Sequence, residues 1–369
     1  MYSDFSEKLA SLIVNYSVKV QPGDTVLMQS PINAEPLVRE IYREIIQAGG
    51  HVVRMDFSFN GQTEIFYKYA SEEQLKYENP FLLEVISKAT KLIAIYSEYN
   101  TKGLTNVDPE KKKIFAEARK EISRIYTTRA AKKELYWNLS PYPCDAFAQE
   151  ANMGKLEYLE FVYKALNLHQ PDPVKFWTKV QEDQEKITVI LDKGSELRII
   201  GKDTDLILAI EGRKWINSCG ERNLPDGEVH SSAHENGVNG KIRFTYPGIY
   251  QGQEIEDIRL SFRDGMVIDY DAAKGKKLLE ELLTISNANV LGEVAIGTNY
   301  GIQKFTKNML FDEKMGGTVH LALGSGYPDS GSKNESSIHW DILKDMKDPG
   351  SEIRLDGEVI YREGKWLIP

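Results

Sequence analysis

Two cysteines in 369 residues leave no CxxC pair, so neither a thiolate metal site nor a disulfide framework is expected. Cys144 and Cys219 read as reduced thiols, with a single bond between them as the alternative. Long apolar runs are missing as well. No stretch approaches the roughly 20 apolar residues of a membrane span. The opening M-Y-S-D-F-S-E-K-L places acids where a signal peptide needs an apolar run. The expectation is a soluble, cytoplasmic protein that does not associate with membranes. Basic charge is in deficit too. Lys+Arg number 46 against 55 Asp+Glu, a formal charge of -9, which excludes the basic footprint of a general nucleic-acid binder. Finally, no glycine-rich nucleotide fingerprint is present. The first strand-like run is followed by Q-S-P-I-N-A-E, with neither GxGxxG nor a P-loop. Internal repeats and low-complexity segments are also absent.

What remains is an ordinary globular composition, 41% hydrophobic and 27% charged, long enough for two domains. Residues 5–20 carry apolar side chains at helical spacing, and Pro22-Gly23-Asp24 is a turn. Thr25–Gln29 reads as a buried strand and Ala34–Gln47 as an amphipathic helix stopped by Gly49-Gly50. His51–Asp56 reads as the next strand. Strand, helix, strand at this spacing is a βαβ unit with parallel strands. The pattern continues with a helical Ser71–Thr90 and a strand at Lys91–Tyr96. A long charged helix then runs from Asp108-Pro109-Glu110 to about Thr127, before a further strand at Glu134–Asn138. Cys144 to Glu185 is helical and rich in aromatics at core spacing.

After residue 186 short β runs dominate: Ile187–Leu191, Glu196–Ile200, Asp205–Ile210, Lys241–Tyr246 and Ile255–Phe262. A helix at Ala272–Thr284 and a hairpin at Asp356-Gly357 complete the pattern. The expected fold is therefore α/β plus α+β. Residues 1–186 form an N-terminal, open, doubly wound α/β domain with a helical extension. Residues 187–369 form a β-rich α+β domain that carries the metal-binding and catalytic residues.

The candidate chemistry lies in that second half. In N-L-P-D-G-E-V, Pro225 and Gly227 set a turn that delivers Glu228 into a strand; an ordinary surface loop is the alternative. In L-G-E-V-A-I-G, Glu293 is the one charge in an apolar run, costly there unless paired or bound to a cation. An edge strand with Glu293 facing water is the alternative. His320 stands in T-V-H-L-A-L-G, where a lone histidine is ordinarily a satisfied core residue. His339-Trp340-Asp341 is more specific, because positions i and i+2 of a strand share a face and two such side chains can bind one ion. Tyr327, behind a Gly-Ser-Gly turn, is placed to reach over the site as a donor; a packed aromatic is the alternative. Imidazole and carboxylate together suit divalent metals such as Zn, Co or Mn. Glu228, Glu293, His320, His339 and Asp341 make enough ligands for two ions that share a carboxylate.

Four motifs, N-L-P-D-G-E-V, L-G-E-V-A-I-G-T-N, F-D-E-K-M-G-G-T-V-H-L-A-L-G and N-E-S-S-I-H-W-D, occur in this order. With them the chain resembles the thermophilic-type metallo-aminopeptidases of the aminopeptidase T, aminopeptidase S and PepS kind. The resemblance runs over essentially the whole chain, including P-C-D-A-F-A-Q-E-A-N-M-G-K-L-E-Y-L-E-F-V-Y. It implies a homodimeric exopeptidase that acts on peptides with a free N-terminus. It also implies a cocatalytic pair of divalent ions (Zn, Co, Mg or Mn). Carried over, Glu228, Glu293, His320, His339 and Asp341 are ligands, with Glu293 bridging, and Tyr327 is the catalytic-site tyrosine. Glu313 is a further ligand candidate. It stands seven residues before His320, wider than the family spacing, so its role stays open. The general base is unassigned, with Glu228 and Glu313 as candidates. A two-metal phosphoesterase is the rival enzyme, with Lys304, Lys307 and Lys314 as phosphate-binding candidates. A binding protein with a structural metal is the rival outside catalysis. It is weighed against by the lack of cysteine in the motifs.

Overall fold

The computed structural model describes residues 3–368. It divides into two compact units, Met1–Trp177 with Gly220–Pro225, and Thr178–Cys219 with Asp226–Pro369. Parallel and antiparallel sheets together place the chain in the mixed α/β class.

In the first unit, β1 (Thr25–Pro31), β2 (His51–Ser58), β3 (Lys91–Tyr96) and β4 (Tyr136–Pro141) form a parallel sheet in the order β2-β1-β3-β4. The inner strands β1 and β3 read as nearly continuous apolar runs because helices cover both faces of such a sheet. The helix Glu35–Gln47 buries Leu37, Val38, Ile41 and Ile45, one stripe at helical spacing. It stops where the Gly50 N–H turns back to the Ile45 carbonyl at 2.9 Å.

The second unit holds an eight-stranded and a five-stranded antiparallel sheet. Both contribute to one apolar core, with Leu197, Ile199, Leu206 and Leu208 from the larger sheet and Val294, Ile296, Leu321 and Leu323 from the smaller. Every residue of Leu291–Gly297 and Thr318–Gly324 in the five-stranded sheet is buried.

Several expected elements differ. Ile187–Leu191 is not a strand but the end of the helix Pro173–Leu191. Its β-branched residues suggest a strand, yet Gln184, Ile187, Thr188 and Leu191 are all buried, a helical stripe that tertiary packing selects. The charged helix after Asp108 is two helices, Pro109–Ala118 and Lys120–Ala131, neither with a fully buried residue to fix it as one rod. Ile255–Phe262 is split between the strands Gln253–Ile255 and Arg259–Arg263. Neither cysteine forms a disulfide, and both are buried.

Candidate metal centre

The five-stranded sheet runs His339–Asp345, Thr318–Gly324, Leu291–Gly297, Glu228–Ser231 and Ile216–Ser218. Its register decides which side chains meet. Ala295 pairs with both His230 and His320, Glu293 with Ala322, Ala322 with Asp341, Gly324 with His339, and Gly297 with Glu228. Paired residues share a face, and so do residues two apart on one strand. Glu228, His230, Glu293, His320, His339 and Asp341 therefore all point to one side. The alternating Val229, Val294, Ile296, Leu321, Leu323, Trp340 and Ile342 enter the core. Between the polar side chains this face carries Ala295, Ala322, Gly297 and Gly324, which leave room above the sheet.

Two glycines hold the backbone in place. Gly227 has φ +115°, and a Cβ there would lie 2.9 Å from the Asn299 Cβ, so the turn into Glu228 needs glycine. At Gly292 a Cβ would lie 2.4 Å from the Gly324 carbonyl oxygen, which draws the backbone beside Glu293 against the neighbouring loop. Gln184 Nε2 donates to the carbonyls of Ser218 and Glu228, each at 2.9 Å, and fixes the start of the Glu228 strand. Glu313 comes from outside the sheet, directly after the short helix Met309–Asp312.

The side chains converge. Glu293 Oε1 lies 3.3 Å from His320 Nε2, and its Oε2 lies 3.4 Å from His339 Nε2. His339 Nε2 is 3.3 Å from Asp341 Oδ1, His320 Nε2 is 3.6 Å from Glu228 Oε2, and His230 Nδ1 is 3.4 Å from Glu228 Oε1. Three overlapping sets bring ligand atoms within 4.8 Å of one another: Glu228, His230 and Glu293; Glu293, His339 and Asp341; Glu313, His320 and Asp341. Good charge-assisted hydrogen bonds are shorter, about 2.7–2.9 Å. Two ligand atoms about 2.1 Å from one tetrahedral ion stand roughly 3.4 Å apart. The imidazole–carboxylate spacings match the second value. Glu228 Oε2 and His320 Nδ1 are also buried without a hydrogen-bond partner. Spacing, donor chemistry and these two orphaned atoms all fit divalent cations. His339 Nδ1 lies 2.7 Å from the Ser325 carbonyl oxygen. A neutral ring donating there turns a lone pair on Nε2 toward Glu293 and Asp341.

Lys314 enters the cluster from the Glu313 side. Its buried ammonium touches Glu228, lies 2.9 Å from Glu313 and 3.6 Å from Asp226. These carboxylates overcome the penalty of burial and hold the lysine well above its usual range. Burial raises Glu313 to about 7, against Lys314, with the charges of Glu228 and Asp341 adding to the rise. For Glu228 burial opposes ionisation, but Lys314 and His230 outweigh it and hold the carboxyl far below its usual range. Burial disfavours the charged forms of His320 and His339, yet their carboxylate neighbours lift them to about 9 and about 10.

Tyr327 is half-exposed, its ring 5.6 Å from that of His230 and 5.1 Å from that of His339. Burial of the hydroxyl, reinforced by the carboxylates, pushes it far above the usual phenol range, so it stays protonated. All seven residues singled out in the sequence are thus neighbours. His230, Asp226 and the ion-pairing role of Lys314 were not anticipated. His230 carried a readable signal, the same i, i+2 relation to Glu228 that Asp341 has to His339. Two of the lysines considered for phosphate are already matched to carboxylates, Lys314 within the cluster and Lys307 with Glu254 at 2.7 Å.

The chain is 28% identical to Aminopeptidase 2 of Geobacillus stearothermophilus, across 98% of this chain and 97% of the relative. It is 25% identical to Aminopeptidase T of Thermus aquaticus, across 100% and 99%. The solved structure of wild-type AmpT from Thermus thermophilus has the same fold, with a TM-score of 0.83 at 23% identity over the whole of both chains. The family model for the thermophilic metalloproteases (M29) matches residues 3–366. The resemblance carried by the four motifs is borne out, and the chain belongs to the M29 thermophilic metalloprotease family.

Proposed function

We propose that the chain is a metallo-aminopeptidase that releases N-terminal residues from peptides. Glu228, Glu293, Glu313, His320, His339 and Asp341 would hold two divalent ions, and His230 joins Glu228 and Glu293 as a further candidate. The observation that carries this reading is Glu293, whose two oxygens face two different histidines. A carboxylate so placed suits the position shared between two ions. Charge supports the same count. Asp226, Glu228, Glu293, Glu313 and Asp341 against Lys314 leave a formal charge of −4 with the histidines neutral, which two divalent cations cancel. The names of the relatives support the substrate class.

Bound divalent cations supply Lewis acidity and bring the pKa of water toward neutrality. The residues of the chain do the rest. Tyr327, protonated at working pH, donates to the oxygen of the scissile carbonyl as negative charge develops there. Glu313 or Glu228 takes the proton of the attacking water, and Lys314, which touches both, holds them in place. A carboxylate of the cluster that is not taken up by an ion would pair with the free α-ammonium of a peptide, which favours exopeptidase action. The family resemblance further supports a homodimer.

The test compares a short peptide with its N-acetylated form. The free peptide should lose its first residue in a chelator-sensitive reaction, and the acetylated one should not react. Equal cleavage of both removes the aminopeptidase reading. Turnover of phosphoesters in place of peptides favours the rival hydrolase.

A further inference from the structure

The first unit contains a cavity of about 490 Å³ that the proposed peptidase chemistry does not use. It lies where the carboxyl ends of β1, β3 and β4 open. Asn33 follows β1, Glu98 follows β3, and Tyr142 follows β4. In the order β2-β1-β3-β4 the chain leaves β1 for one neighbour and later returns to β3 on its other side. The connections diverge at that point and leave a crevice, which is where open parallel sheets bind ligands. The volume falls within the range of small-molecule sites.

The lining specifies what fits. Its body is apolar and aromatic, with Phe5, Tyr99, Tyr142 and Leu156 among the walls, and Phe5 meets Tyr142 edge-on at 6.1 Å. Two acceptors of the lining stand out. Asn33 Nδ2 donates to Ser97 Oγ at 2.9 Å, while Asn33 Oδ1 is buried with no hydrogen-bond partner. A buried acceptor left in that state is costly and marks a place for an external donor. Glu98 is the second acceptor. Among the described residues no cation lies within ion-pair distance of it, and desolvation alone raises its carboxyl. Lys155, the lysine of the lining, is matched to Asp145 at 3.2 Å. Among the described residues anionic ligands find no unmatched cation in this lining, and the absence of a glycine-rich loop after β1 agrees with that. For a cationic nitrogen, in contrast, the lining offers a carboxylate, an amide oxygen and tyrosine rings.

We propose that this cavity is a second binding site, specific for a small primary amine with an aromatic or branched apolar body. The ammonium sits between Asn33 Oδ1 and Glu98, and the body lies against Phe5 and Tyr142. The site stands apart from the histidine–carboxylate cluster in sequence and chemistry, and its occupancy does not depend on the proposed reaction.

The test titrates the full-length, metal-loaded protein with 2-phenylethylamine, which has no bond to hydrolyse, and with 2-phenylethanol, its uncharged isostere. Calorimetry should show saturable binding of the amine and weaker binding of the alcohol. Glu98→Gln removes the charge at an exposed position and should weaken the amine about tenfold, with peptide hydrolysis unchanged. Glu98→Lys should abolish binding. Amine binding that is unchanged in Glu98→Gln, alcohol that binds as tightly as the amine, or no saturable binding at all overturns the proposal.

Discussion

Replacing Glu293 by glutamine keeps the shape of the side chain, removes its negative charge and turns one of the two atoms facing His320 and His339 into an NH2 donor. Activity of Glu293→Gln should fall on the order of 10²-fold or more at saturating metal, and elemental analysis should show fewer ions per chain. Near-normal activity sinks the shared role of Glu293. Tyr327→Phe separates binding from chemistry, because the ring stays between His230 and His339 and only the donor is lost. We expect kcat to fall by about 10²–10³-fold with metal content and KM little changed. Lys314→Met tests the buried cation. In chelated protein it leaves Glu228 and Glu313 without their counter-charge, at a cost of about 3–5 kcal/mol of unfolding free energy. Added Zn or Co should recover part of that loss in denaturant titrations. A variant as stable as the parent shows that the cluster does not need the lysine.

A strand shows its two faces in sequence, and much of the site was legible for that reason. His339-Trp340-Asp341 displays the alternation directly, and the isolated charge of Glu293 in an apolar run marks the same face. His230 obeys the identical rule beside Glu228, but no apolar run sets it off in the sequence as it does Glu293. The contacts of Lys314 with Glu228 and Asp226 join segments far apart in the chain, and only the tertiary fold brings them together. The parallel sheet was legible from its βαβ spacing. The end of the helix Pro173–Leu191 was not, because Ile187–Leu191 has strand-like residues and its helical stripe shows only when Gln184 is included. The same alternation predicts the effect of a neutral-looking change. Ala322 pairs with Glu293 on one side and Asp341 on the other, so Ala322→Leu fills the space above the sheet. Far-UV circular dichroism should stay unchanged while metal occupancy and activity drop. Full occupancy would show that the space is not used.

For the molecule as a whole, metal, protons and stability are linked. In chelated protein His320 titrates at about 9 and His339 at about 10, both above the unfolded value near 6.5. Groups raised on folding stabilise fully below the unfolded pKa. That contribution is lost as pH rises through the folded values, so chelated protein should weaken between about pH 6.5 and 10. Cations compete with those protons, so metal affinity should rise over the same interval. Calorimetric titrations in buffers of different ionisation enthalpy should show proton release near pH 8. Pairing of the five-stranded sheet has a consequence of another kind. A slip of one residue exchanges the faces of a strand. Slipped at the Thr318–Gly324 strand, His320 would enter the oily interior and Val319 or Leu321 would take its place among the acids. Correct alignment and the ability to capture a cation are then one property. Ion uptake during refolding would then favour the in-register sheet over misaligned chains, and refolding in chelator should give a lower yield.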